Sequence, residues 1–224
     1  MIFKRVTAAV AFSGLPRFLK RVGLVFSLLL MGQGIVACVG LDLVKDKRPY
    51  LQEFSPAPYG VVCSVAVLPF SSKTGYNQAG RLFYRIFMGQ LVQAGSWQVT
   101  LEGDIRKIYR QMHLAPWVKP TPEQIKIIAS RLGVERVIGG EILSMEEKVR
   151  GKAVEPKVEV RVCIYDGSTG KLLVATIHRR EGEEYRKMLH FGLVNSITGL
   201  SKIVVQEILT LWEKKGLVPC LDVL

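Results

Sequence analysis

Three histidines and four cysteines are all that 224 residues hold of the side chains that most often ligate transition metals. His113, His178 and His190 form no His-Glu-x-x-His, and Cys38, Cys63, Cys163 and Cys220 form no Cys-x-x-Cys, so no local spacing supports a zinc site. A Gly-x-Ser-x-Gly elbow is also missing, and Gly167-Ser168-Thr169-Gly170 reads as a turn. Lys73-Thr74 follows Phe70-Ser71-Ser72 and not the glycines of a phosphate-binding loop. Glu146-Glu147 and Glu183-Glu184 are consecutive in sequence, so on a strand their carboxylates point to opposite faces and neither pair makes an acid/base couple. These gaps weigh against an enzyme and predict no metal and no cofactor. Each histidine is expected at the surface or at a sheet edge.

Acidic residues are scarce too, 19 against 31 Lys and Arg, for a formal charge of +12. Five of the cations, Lys4, Arg5, Arg17, Lys20 and Arg21, fall in the first 37 residues, which contain no acid. The remainder therefore carries 26 − 19 = +7. A positive field of that size favours anionic partners. The basic pairs Arg179-Arg180, Arg186-Lys187 and Lys214-Lys215 are interrupted by acids and lack interleaved aromatics, so they read as solvated faces and nucleic acid is not an expected partner.

Behind the cationic head, Val22 to Ala37 has no charge at all and closes on Ile35-Val36-Ala37-Cys38. A positive head, an apolar middle and small residues before a Cys make up a secretory signal, and its ending looks like a bacterial lipobox. The expectation is a lipoprotein signal peptide over residues 1–37, with Cys38 as the lipid attachment site. An uncleaved N-terminal anchor is the alternative. By resemblance to sorting in Gram-negative bacteria, Val39 in place of Asp points to the outer membrane, with the protein facing the periplasm. If Cys38 is acylated, three cysteines remain and at most one intramolecular disulfide can form. Cys63 and Cys163 lie in apolar runs and are expected in the core.

Residues 38–60, with Lys45 to Pro49 and Ser55-Pro56-Ala57-Pro58, read as a membrane tether, and 61–216 as one α/β domain followed by a tail, 217–224. Val61 to Phe70 is nearly unbroken in aliphatic residues, as expected of a central strand covered on both faces and ended by Pro69. Ala79, Leu82, Phe83, Ile86, Phe87 and Leu91 repeat at helical spacing up to Gly95. Trp97, Val99 and Leu101 alternate on a short strand, and Ile105, Ile108, Tyr109 and Met112 share one side of a short helix. Thr121-Pro122-Glu123-Gln124 predicts a capping box, Pro at the first helical position, and a helix ending at Gly133. A strand with paired glycines at Gly139-Gly140 follows, where a bulge or close backbone approach is expected. Val158 to Tyr165 alternates as a half-exposed strand, Asp166 to Lys171 turns it into a hairpin with Leu172 to His178, and Ile197 to Trp212 forms a long closing helix.

Val65 to Phe70 with Thr74-Gly75 and Gly80, Thr121 to Gly133 leading into Val137 to Gly140, and Asp166 with Thr169 to Lys171 together form a pattern, carried by the order of elements across roughly 61–212. It resembles the periplasmic lipoprotein domains related to the curli secretion channel lipoprotein CsgG, the penicillin-binding-protein activator lipoprotein LpoB and the N-terminal domain of TolB. The resemblance implies an α/β domain with a mixed sheet packed by helices in a single layered unit, of the anticodon-binding-domain-like or TolB N-terminal-like class. It also implies no enzymatic activity, and work done by contacting an envelope protein or by assembling a homo-oligomer. A channel-forming member needs strands of about 9–11 residues with an apolar lipid face. Met145 to Lys152 and Glu155 to Lys157 are densely charged instead, which favours a tethered binding domain over a pore.

Overall fold

Val158, Val160, Val162 and Ile164 project from one face of the strand that lies at the middle of the sheet, and that alternation sets the architecture. A computed structural model describes residues 48–55, 63–76, 78–95, 97–151, 153–187 and 192–217. In chain order its elements are β1 (Tyr50–Glu53), β2 (Ser64–Val67), β3 (Ser71–Ser72), α1 (Ala79–Ala94), β4 (Gln98–Val99), α2 (Glu102–Gln111) and α3 (Pro122–Leu132). Then come β5 (Arg136–Arg150), β6 (Ala153–Asp166), β7 (Leu172–Glu181), a 3-10 helix (Gly182–Tyr185) and α4 (Ile197–Lys214).

The strands order as β1-β7-β6-β5-β2-β4, with β3 also paired to β5. β2 runs parallel to β4 and β5, and β3 is parallel to β5, whereas β5-β6, β6-β7 and β1-β7 are antiparallel. The sheet is therefore mixed and the fold is α/β, as expected. One face buries Val65, Val67, Ile138 and the β6 valines under α1 and α4, where Phe70, Phe83, Phe87 and Trp212 form a chain of ring contacts. The other buries Ala66, Leu68, Val137, Cys163 and Tyr165 under α2 and α3.

Local signals explain where these elements stop. Thr121 Oγ1 accepts from Gln124 N at 3.3 Å and Gln124 Oε1 accepts from Thr121 N at 2.9 Å, the reciprocal capping box that starts α3. Gly133 ends it at φ 65°, a conformation a side chain disfavours. In the β6-β7 turn, Asp166 Oδ1 accepts from the backbone N–H groups of Ser168 (3.1 Å) and Thr169 (2.8 Å). Its Oδ2 takes Arg136 Nη1 at 2.9 Å, an ion pair largely shielded from solvent.

Several expectations are corrected. Tyr50–Glu53, placed in the tether, form an edge strand because β7 offers it a free ladder, with Tyr50 opposite Ile177 and Glu53 opposite Val174. β2 is shorter than the apolar run suggested and lies next to the edge strand β4, so the central positions belong to β5 and β6. Leu101, grouped with Trp97 and Val99, is 73 % exposed at the start of α2, since only Gln98 and Val99 pair as a strand. The irregularity in β5 falls between Ile142 and Ser144 and not at the glycines, although Gly140 does allow a close backbone approach. β6 is not half-exposed at its end, because α2 and α3 cover Cys163 and Tyr165. Cys63, expected in the core, is only partly buried and is disulfide-bonded, its other half lying outside the described residues. Cys163 is buried, as expected, and free.

Candidate functional site

The second face of the sheet is not covered along its whole length. α2 and α3 pack over Val137, Cys163 and Tyr165, and beyond them, at the carboxyl end of β2, a cleft of about 410 Å³ remains open. Its floor is apolar: Leu68 and Pro69 after β2, Ile125 from α3, Gly139 from β5, and Cys163 with Tyr165 from β6. The absence of a side chain at Gly139 keeps the floor low, since a Cβ there would meet nothing nearer than Tyr165 at 3.7 Å.

One wall is the segment Trp117 to Pro120 that links α2 to α3. Prolines at 116 and 120 limit its backbone. Trp117 is 72 % exposed and Val118 47 %, an unusual cost in water for a side chain as large as tryptophan. The opposite wall is β3, whose Ser71 Oγ donates to the Gly140 carbonyl at 3.3 Å while Ser72 Oγ is engaged with Thr74 Oγ1 at 3.0 Å.

Charge is concentrated at the rim. Glu141 Oε1 takes Lys73 Nζ at 2.9 Å and its Oε2 lies 3.7 Å from Arg161 Nη1. Lys119 Nζ sits 6.0 Å above the Tyr165 ring. Among the described residues, three cations against one carboxylate give the lining 3 − 1 = +2. Burial pushes the Cys163 thiol up, against the smaller opposing effects of its contact with Tyr165 and of Lys119 and Arg161. Burial likewise raises the Tyr165 phenol, with Cys163 adding to it. Both are protonated at neutral pH, so the floor offers neither a thiolate nor a phenolate. The arrangement can hold an anion beside an apolar body; it supplies no activated nucleophile.

Lys73-Thr74 stands where a phosphate loop would, between a strand and a helix, but the Lys73 ammonium is committed to Glu141. His113 is exposed after α2, with φ 53°, as a surface histidine should be. His178 is the exception to the surface expectation: its side chain is 1 % exposed, under α4 on the first face. Its Nε2 lies 2.5 Å from Glu207 Oε2, and an ionised carboxylate can only accept, so Nε2 carries the proton. Arg180, read from sequence as part of a solvated pair, also turns inward to Glu207 and Glu184, and Tyr185 Oη donates to Glu207. No substrate could reach His178, and this network joins β7, the 3-10 helix and α4 as a structural knot. Cys38, Cys220 and His190 lie outside the described residues. Among the described residues no group of His, Cys, Asp or Glu is arranged to hold a metal ion.

Sequence reasoning passed over Trp117 and Lys119 and treated Arg161 merely as the wet side of a strand. The signal was there for Trp117 alone, a large aromatic in a proline-bounded connection where no core periodicity calls for one.

No protein-family model matches this sequence, and no curated protein matches it. Solved structures do. PelC from Paraburkholderia phytofirmans, crystallised as a dodecamer of a single-substitution variant, is 17 % identical, with 72 % of this chain and 96 % of that one covered at a TM-score of 0.51. That likeness shows a shared fold. Lipoprotein GNA1162 from Neisseria meningitidis matches at 15 % identity, 68 % and 99 % coverage and a TM-score of 0.47. The LpoB C-terminal domain from Salmonella enterica matches at 12 %, 54 % and 83 %, with a TM-score of 0.41.

Proposed function

We propose that the chain is a periplasm-facing lipoprotein, acylated at Cys38 and held at the outer membrane, whose α/β domain binds an envelope protein as a non-enzymatic accessory or regulatory factor. The observation that carries the binding role is the cleft, where an exposed Trp117 and an apolar floor meet a cationic rim whose titratable neighbours are ion-paired or kept protonated by burial. The anchoring role is supported by the cationic head, the uncharged run and Ile35-Val36-Ala37-Cys38.

Two measurements test the reading. A clickable palmitate analogue fed to cells should label the wild-type protein and fail to label Cys38→Ser; label retained by the variant overturns the anchoring. Crosslinking in native envelopes should then capture a discrete protein partner, and repeated failure to do so with a folded, lipidated protein overturns the binding role.

A second reading, a ring-forming subunit of a CsgG-like secretion channel, is favoured by one fact, that the PelC structure sharing this fold is a dodecamer. The charge in Glu146 to Lys148 and Glu155 to Lys157 stands against strands inserted in lipid, where each Lys or Arg on the lipid face costs about 2–4 kcal/mol at the midplane. Detergent-stable rings with ion conductance in bilayers would promote this reading over the first.

A further inference from the structure

We infer that the cleft receives an acidic segment of the partner protein, seating one apolar side chain on Leu68, Ile125 and Tyr165 and setting its carboxylates against Lys73, Lys119 and Arg161. This rests on the binding role proposed above and gives the partner its chemistry.

Volume, apolarity and charge agree on it. About 410 Å³ lies within the range of roughly 300–1,000 Å³ typical of ligand clefts, and the cleft is open to solvent. Trp117 in the lining is the kind of residue that anchors an interface, large, flat and set in a segment whose backbone Pro116 and Pro120 restrict. Glu141 spends its charge on Lys73 and Arg161, whereas Lys119 faces only the Tyr165 ring, with no ion-pair partner among the described residues. An incoming carboxylate therefore finds one cation unclaimed and two more that it can share.

A glycan fits the same surface less well. Sugar hydroxyls are recognised by planar amides and free carboxylates, and among the described residues the lining contains no Asp, Asn or Gln. Its single Glu is ion-paired, and both serine hydroxyls already have partners.

The test uses the full chain in detergent micelles and three fluorescein-labelled peptides: acidic Ac-Asp-Glu-Phe-Glu-Asp, the same peptide with Gly for Phe, and basic Ac-Lys-Lys-Phe-Lys-Lys. Fluorescence anisotropy should show binding of the first, weaker by about tenfold or more for each of the other two. Lys119→Glu, Trp117→Ala and the cleft-filling Gly139→Leu should each weaken the acidic peptide by a similar factor. Unchanged melting curves for Lys119→Glu and Trp117→Ala, both at exposed positions, keep the comparison valid if Gly139→Leu misfolds. Equal binding of acidic and basic peptides, or no loss in those two exposed variants, overturns the inference. So does cleft-dependent binding of oligogalacturonate or of phosphatidylglycerol vesicles without binding of the acidic peptide. If crosslinking captures a partner whose yield is unaffected by Lys119→Glu and Trp117→Ala, the inference fails and the binding role stands; if no partner is captured at all, the binding role itself fails.

Discussion

Arg180 grips the carboxylate of Glu207 with two charge-assisted hydrogen bonds, Nε to Oε2 at 2.8 Å and Nη2 to Oε1 at 3.0 Å. Burial alone would raise the Glu207 carboxyl, but hydrogen bonds from His178 and Arg180 and their charges outweigh it and hold it at about 2, below its usual 4.5. The folded value lies below the unfolded one, so this contribution is fully present above about pH 4.5 and is lost as the pH falls toward 2. Urea unfolding of the wild type should therefore weaken more steeply over that window than unfolding of Glu207→Gln; parallel curves would refute the assignment. At neutral pH, Glu207→Ala should cost roughly 2–3 kcal/mol, somewhat less than the loss from a fully buried pair, because it strands Arg180 and His178 together.

Adjacent glycines in β5 should respond very unequally to the same change. A Cβ on Gly140 would collide with the Arg161 carbonyl oxygen and lie 2.5 Å from the Phe70 ring, whereas one on Gly139 meets only ordinary contacts from 3.7 Å. Gly140→Ala is expected to destabilise by about 1–3 kcal/mol or more. Gly139→Ala should stay within about 0.5 kcal/mol of the wild type. Thermal melts of the two variants decide the matter, and a reversed order would show the register of β5 to be misassigned.

Trp212 Nε1 donates to Thr176 Oγ1 at 2.8 Å inside the layer between β7 and α4. Thr176→Val keeps the shape and removes the acceptor, leaving a buried indole N–H unsatisfied, at a cost of about 1–3 kcal/mol. Thr176→Ser, which retains an acceptor, should recover most of that loss in a chemical denaturation series.

The α3 capping box predicts that Thr121→Ala lowers stability by about 1 kcal/mol. Since Ile125 on the same helix lines the cleft, the variant should also weaken the acidic peptide, while Thr121→Ser restores both. Loss of stability without any change in binding would separate the helix start from the site.

Much of the fold could be read from local chemistry. Thr121 to Gln124, Gly133 and the Asp166 turn each carry a complete instruction within a few residues and form as expected, and Val158 to Ile164 forms the strand its pattern calls for, though buried on both faces from Val162 on. β1 could not be read this way: Tyr50–Glu53 has no alternating apolar pattern, and its order comes from Val174 to Ile177, far along the chain. The inward turn of His178 and Arg180 was hidden for a related reason, because their partner Glu207 arrives from α4 and nothing in the local sequence distinguishes them from a surface pair. The cleft draws on residues after β2, on β3, on the α2-α3 connection, on α3, and on β5 and β6, so no single stretch of sequence could announce it.

Strand β1 has one more implication. If Cys38 is fixed in the bilayer, residues 39–49 are the whole leash before Tyr50 docks on β7, and eleven residues at about 3.3–3.6 Å each reach at most ~40 Å. With that anchoring the domain would stay within reach of the lipid, and a partner would have to meet it there.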